Sequence, residues 1–522
     1  MRFLKFTAAV IAAVLLICCF GGCGSKKDYA LYYELDEAPD TLDPQLALGA
    51  TDQMLVRNLY EGLVRADSDG KIQNAASEMQ VSQDGLKYTF SIKDNMQWSN
   101  GEALTADDYL FAFERALDPS VGSPYASRLF CIKDAENYYN KKVSSFGVKA
   151  VDKNRIEITL SEKNSEFLNT LATAGCMPCN RNFYNKSKGQ YGRDEDHVLT
   201  NGSFCLKTWN RDKKYSLRIN KSKTYNGNFA AQANAVIFNS GTKQGRAERI
   251  NSAKLDMGFV DYNEAENNEN TIAFEKTCYA LCINKNSDIG NIKFRKAFEH
   301  SIHRNRLKND LSAAFSVTEN FVLPVFEKQS KKLNSICSPT PAADYLPDTA
   351  RELYLSAVKE SGKPGKTSII YYGSDDVKQL ANYIAEGFQQ ALGIFVNTQA
   401  VKSNEELENL IKKGDYKFAI TAFTALEKEP YDYFSLFSKN NPAGIVDFNN
   451  RKFEEALAKM KQAKTANDSA AAVTQASDCI MSDHSIIPLA NYSEAFQYAK
   501  NLNMPVFTPF DGMLDLAEIR QK

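Results

Sequence analysis

A chain of 522 residues is too long to close around one hydrophobic core, and this one offers no place to cut it into separate beads. No Gly/Ser-rich or Pro-rich linker interrupts it, and no internal repeat is visible. Two or three domains that share strands or hinges are therefore expected. An apolar fraction of 43% and a charged fraction of 24% are those of a packed protein and exclude a disordered stalk.

Helical and extended patterns alternate along the chain. ALYYEL reads as a strand, and the following EAPDTLDPQLALGATDQ, with Pro39 and Pro44, cannot be helical throughout. MLVRNLYEGLVRAD carries a helical apolar stripe through Met54, Leu55, Leu59 and Leu63. Behind the Asp84-Gly85 turn, Leu86, Tyr88, Phe90 and Ile92 alternate as a strand. Thr105 with Asp108 three residues on is a capping-box variant before a helix that buries Tyr109, Leu110, Phe113, Ala116 and Leu117. VKAVDKNRIEITL reads as a strand hairpin, FRKAFEHSIHRNRL as one amphipathic helix, and SIIYYG as a strand. IAEGFQQALGIFVNTQAV gives helix, a stop at Gly393, then strand, the order of an open α/β sheet.

The first 23 residues assign the compartment. Arg2 and Lys5 precede an uncharged apolar run from Phe6 to Phe20, and Gly21, Gly22 and Cys23 follow, the order of a secretory signal. The ending resembles a bacterial lipobox. That resemblance implies cleavage after residue 22, a diacylglycerol on the Cys23 thiol, and a short tether over 23–25. An uncleaved anchor is the alternative, but the run is short for a span of about 20 apolar residues. With Arg2 and Lys5 set aside, the remaining basic residues fall just short of the 64 acidic ones, which gives no support for a nucleic-acid partner.

Eight cysteines follow Cys23, an even number that permits disulfides in an exported protein without assigning them. Cys176-Met-Pro-Cys179 has metal or redox spacing. Only four histidines are present, however, and the CxxC does not sit at the mouth of a βαβ unit, so neither a metal site nor a redox centre is expected. No GxSxG, HExxH, P-loop or GxGxxG falls on a strand-to-helix turn. The chain reads as a binding protein, not an enzyme, with no cofactor.

Eight segments in register resemble one family. They are YELDEAPDTLDPQLA, NLYEGLVRADSDGKI, VSQDGLKYTFSIKDNMQWSNGEALTADDYLFAFERALDP, SPYAS, GVKAVDKNRIEITLSE, TNGSFCLKTW, IKFRKAFEHSIHR and IIPLANY. The family is the extracellular solute-binding proteins of family 5, the oligopeptide- and dipeptide-binding lipoproteins of bacterial ABC importers. The resemblance implies an α/β, bilobal periplasmic-binding-protein type II fold with an additional inserted domain. Domain I would comprise residues 26–70, 200–277 and 490–522, domain II residues 71–199, and domain III residues 278–489. A monomer would close on a peptide or related solute between domains I and III and present it to permease subunits, lipid-anchored on the outer face of the cell membrane. A non-peptide solute, or a sensor role on the same fold, is the alternative.

The resemblance also carries residues. Leu48, Gly49 and Ala50 fall where domain I offers main-chain groups to an extended ligand. Tyr125 of SPYAS matches a pocket-lining tyrosine. From domain III, FAITAFTALEKEPYDYF matches the strand that usually reads aromatic, two residues, then an aspartate for the ligand's α-ammonium. Aligned on Pro430, Ala422, Phe423 and Thr424 keep the strand, but Leu426 stands at the aspartate's position and Glu427 is one residue along. On a strand one residue reverses the face. Either a local bulge presents Glu427, or a free amino terminus is not read in the usual way. Cys23→Ser should release the protein from membranes or leave its leader uncut, as fractionation and intact mass would show; normal cleavage with undiminished membrane retention would contradict the lipobox reading.

Overall fold

The computed structural model describes residues 29–522 except 68–70, 165–166, 213, 266–267, 440, 442–443, 447, 506 and 509–512. The leader, Cys23 and the tether thus lie outside the described residues. Among the described residues, eleven strands join into one sheet that runs through two lobes. From one edge its order is Asn397–Ala400, Ser368–Tyr371, Phe418–Thr424, Thr271–Ile283, Ile486–Tyr498, Met257–Val260, Ala30–Leu35, Ala235–Ser240, Ser216–Lys221 and Phe204–Asn210, with Phe315–Val317 paired on Ile486–Tyr498.

The two central strands are the longest, 13 residues each, and they lie antiparallel along their length. Their first and last halves belong to different cores. One core gathers residues from Leu31 to Ala265 and again from Ala495 to Ile519; two more gather residues from Cys278 to Ala490. The pairing slips twice at the changeover. Glu275 faces Ser493 and Thr277 faces Tyr492, so Lys276 is an extra residue; Tyr279 faces Ala490 and Ala280 faces Pro488, so Leu489 is another. Such bulges bend a ladder and sharpen its twist. Side chains close over the bend: Lys276 Nζ lies 3.4 Å from Glu494, and Glu275 accepts from Asn491 Nδ2 at 3.1 Å.

The first lobe carries a separate four-stranded antiparallel sheet of Ser77–Val81, Lys87–Ile92, Arg155–Thr159 and Val148–Asp152. Its alternation is the one the sequence spells: Tyr88, Phe90 and Ile92 point inward, and so do Ile156 and Ile158. The helix Ala106–Ala116 packs on this sheet. Asp108 closes the expected box, accepting the N–H of Thr105 at 2.8 Å. In the second lobe the helix Asp375–Leu392 ends at Gly393 in the left-handed conformation (φ 71°), before the edge strand. One expectation changes. The segment around FRKAFEHSIHRNRL is two helices, Ile292–His300 and Arg304–Asp310, because His303 accepts the N–H of Arg306 as an N-cap and starts a new axis.

All eight cysteines of the body are free thiols, and burial pushes those of Cys176 and Cys179 up to about 12, far from the thiolate a redox pair needs. No helix among the described residues is long and apolar enough to cross a membrane.

Behind the start of the strand Ile486–Tyr498, Glu299 is buried and shared between His484 Nδ1 and the N–H of Ala343 at 3.0 Å. Burial works to raise this carboxyl, but the bond from His484, helped by the Ala343 N–H, more than offsets it and holds the group below the usual carboxylate range. A depressed carboxylate stabilises the fold above its unfolded pKa, and that contribution is lost as pH falls through the lower folded value. Glu299→Gln should therefore cost about 1–3 kcal/mol near neutrality. The gap from wild type should narrow as pH falls below about 4, as thermal unfolding across the acid range would record.

Candidate functional site

The wall of the first lobe is built outward from a buried ion pair. Arg115, near the end of the helix Ala106–Ala116, directs Nη1 and Nη2 at the two carboxylate oxygens of Asp43, 3.0 and 2.6 Å away. Both side chains are almost wholly buried, and the guanidinium lies 4.2 Å over the ring of Tyr184. Burial disfavours the charge on Arg115, but Asp43 outweighs it and raises the pKa. Nη1 also donates to Gln45 Oε1 at 2.5 Å, and Gln45 Nε2 reaches the carbonyls of Gly175 and Met177. Ser123 Oγ donates to the Gln45 carbonyl at 2.7 Å, and the hydroxyl of Tyr125 donates to that of Ala47. Residues 43–47 are thereby pinned from three directions.

Tyr125 is 4% exposed and its ring packs on Gly175, where a Cβ would come within 2.3 Å of the ring. It positions the loop rather than presenting a ring to solvent. Leu48, Gly49 and Ala50 follow immediately and are exposed, Leu48 to 65%. Gln53 Nε2 takes the Leu48 carbonyl at 2.8 Å, and Gly49 starts the helix Ala50–Leu59. The N–H groups of residues 48–50 donate to no described residue. The segment is thus donor-rich at a helix start, where a carbonyl or carboxylate is favoured. Asp52, in the first turn, is pushed up to about 6 by burial, against the opposing bond from the Asp40 N–H.

The wall of the second lobe is shorter than the sequence implied. The strand stops at Thr424, residues 426–429 bend, and Pro430–Ser435 is helical. Face alternation therefore does not separate Leu426 from Glu427, and no strand bulge is required to expose the latter. Phe423 is fully buried and stacks on Phe437 with ring centroids 4.3 Å apart, so its face is spent in the core. Ala422 and Thr424 are half-buried on the other face of the strand, and Thr424 meets Thr277 Oγ1 at 3.0 Å. Leu426 is 61% exposed. Glu429 pairs with Lys328 of the same lobe at 3.0 Å.

Glu427 reaches the other lobe. Its carboxylate lies 3.7 Å from the guanidinium of Arg128, which belongs to the first lobe. Arg128 stands one turn beyond Tyr125 in the short 3-10 helix Ala126–Leu129, and its N–H donates to the Tyr125 carbonyl at 3.1 Å. A continuous path thus runs from Ala47 through Tyr125 and Arg128 to Glu427. It ties the loop ending at Ala47, which the exposed Leu48, Gly49 and Ala50 follow, through the buried Tyr125 to Glu427 and its neighbour Leu426, with Ala422 and Thr424 earlier on the strand. Arg128 was not singled out from sequence; a basic residue three positions after the SPYAS tyrosine was the available signal. A cavity of about 400 Å³ lies elsewhere, between Leu46, Arg115, Tyr184 and Arg211, and none of the expected site residues lines it.

Residues 72–444 match the family described as bacterial extracellular solute-binding proteins, family 5. The chain belongs to that family. This family 5 protein is 25% identical over 498 residues to the dipeptide-binding protein of Lactococcus lactis subsp. cremoris, covering 88% of this chain and 87% of that one. It is also 25% identical over 520 residues to the oligopeptide-binding protein OppA of Bacillus subtilis, covering 94% of each. Among solved structures, the substrate-binding domain of an oligopeptide ABC transporter from Bacillus anthracis superposes with a TM-score of 0.75 at 21% identity, over 95% of this chain and 99% of that one. The two lobes and their extra sheet are thus the bilobal type II binding-protein fold, and the chain is a solute-binding protein rather than an enzyme.

Arg115→Met should leave the Asp43 carboxylate buried without its partner and cost about 3–5 kcal/mol. Adding Asp43→Asn should recover part of that loss, and chemical denaturation of the two variants measures both.

Proposed function

We propose that this protein captures peptides in the cleft between its lobes and delivers them to the permease of an ABC importer, tethered to the outer face of the membrane through Cys23. On this reading domain I takes residues 26–70, 200–277 and 490–522, domain II residues 71–199 and domain III residues 278–489. The observation that carries the proposal is the meeting of Arg128 and Glu427 across the cleft mouth. It links the lobe that carries a donor-rich main-chain segment to a carboxylate on the other lobe, and sequence-tolerant peptide capture draws on main-chain groups of that kind. The relatives named for dipeptides and oligopeptides support the solute class.

Glu427 is our candidate for the ligand's α-ammonium, in the place of the family's aspartate. At 39% side-chain exposure it gains little from a partner in the open cleft, and closure is what would strengthen the bond by removing water. A second reading, an apolar solute, draws on Leu48 and Leu426, which are both exposed.

Calorimetry separates the two. One peptide in free and N-acetylated form should bind tightly and poorly respectively, and Glu427→Gln should weaken the free form by about 2–5 kcal/mol. Equal affinities for the two forms in the wild type would sink the anchoring role. Tight binding of an apolar solute with no peptide binding would replace the peptide reading.

A further inference from the structure

We infer that the cavity lined by the loop 40–46 is a second binding site, which holds a small organic anion through Arg193 and Arg211. It does not depend on which solute the cleft captures. The cavity, of about 400 Å³, lies between that loop, the end of the helix Ala106–Ala116 and the segment 184–193. That is room for a small organic molecule and not only for an inorganic ion. Its walls are tied to each other. The N–H of Leu42 donates to the Gly192 carbonyl at 2.8 Å, and a Cβ at Gly192 would stand 2.2 Å from the Asp43 nitrogen.

The charges around this cavity do not balance. Arg115 and Asp43 cancel, since both Nη groups of Arg115 go to the Asp43 carboxylate. Arg193, Arg211 and Asp40 are the charged residues left in the lining. Arg211 lies 4.8 Å over the ring of Trp209, and it donates Nη1 to the Arg193 carbonyl at 2.8 Å and Nη2 to the Asp40 carbonyl at 3.2 Å. Carbonyl oxygens fix the guanidinium without neutralising it. Arg193 is exposed, and neither its side chain nor that of Asp40 forms an ion pair among the described residues. Of the carboxyls beside the lining, Asp118 accepts the N–H and the hydroxyl of Ser120 at 2.9 and 2.8 Å, and Asp52 accepts the Asp40 N–H at 2.9 Å. Two unneutralised cations thus stand against one unpaired carboxylate. That excess favours an anion, and a guanidinium already held in place loses little freedom in binding one. Leu46, Val121 and the ring of Tyr184 offer apolar surface to the rest of the ligand.

The test titrates benzoate into the full soluble body and reads binding by ligand-observed NMR. Benzamide and benzylamine serve as neutral and cationic counterparts, and inorganic phosphate as an anion without a carbon skeleton. Benzoate should bind about threefold or more tighter than benzamide, with phosphate weaker than benzoate and benzylamine weakest. Arg193→Gln, which breaks no bond within the protein, should weaken benzoate about three- to fivefold, and adding Arg211→Gln should bring the loss to about tenfold or more. High salt should weaken benzoate as well, whereas Glu427→Gln in the cleft should leave it unchanged. No benzoate binding, equal binding of benzoate and benzamide, or benzoate binding indifferent to both arginine changes overturns the site. Phosphate binding as tightly as benzoate overturns the organic ligand. A loss with Glu427→Gln in place of the arginine changes would put the anion in the cleft and overturn the second site.

Discussion

Asp43 and Arg115 meet where water is excluded, and the cleft wall of the first lobe is assembled from that contact outward. Such a pair adds little net stability, because both charges have been taken out of water to form it. What it fixes is position. The guanidinium spends its donors on Asp43 and Gln45, and Gln45 then spends its amide on the carbonyls of Gly175 and Met177. Gly175 in turn leaves room for the Tyr125 ring. A loop containing Pro44 has no ladder or helix of its own to hold it, so side chains from a distant helix hold it instead. The pair also explains a motif that looked chemical: Cys179 lies 3.5 Å from Arg115 Nη1, as packing in this cluster.

The two long central strands set a second constraint. A continuous sheet through both lobes resists shear, since sliding would break every ladder bond at once. Bending at a bulge breaks few. The extra residues Lys276 and Leu489 lie on opposite strands, three paired residues apart, at the changeover between cores. That is where a small dihedral change can rotate one lobe against the other. The ion pair of Lys276 with Glu494 and the hydrogen bond from Asn491 to Glu275 lie across the bend and can re-form at altered separations.

Local pattern made most of the fold legible. Period-two alternation over residues 87–92 and 155–159, the Thr105–Asp108 box and the Gly393 stop each depend on neighbours within a few residues, which is the range over which a sequence speaks directly. The misread pieces mark the limits of that range. Residues after Thr424 kept a strand-like composition, but Pro430 starts a helix and the four residues before it bend, which undoes any inference from face alternation. His303 was legible as a polar residue on a helix and not as the cap of a new one. Among the site residues carried over by register, Leu48 to Ala50 are exposed, whereas Tyr125 is buried and holds the Ala47 carbonyl before them. Arg128 stayed hidden because its significance comes from Glu427, 299 positions away in the chain and on the other lobe.

The strength of that cross-lobe contact bears on how a capture protein must work. A tight, desolvated pair across the cleft would hold it shut without ligand, and the ligand would then have to break it before entering. A pair of half-exposed groups 3.7 Å apart is worth about 0–1 kcal/mol in water, close to thermal energy. It can open freely, yet the same groups become far stronger partners once closure lowers the surrounding polarity. A weak contact of this kind does not lock the two lobes together. A buried anchor such as Asp43–Arg115 has no such freedom, because its energy is the same whether or not solute is present. The two ion pairs of the site therefore divide its tasks by exposure: the dry one shapes the wall, and the wet one is left to respond to what enters.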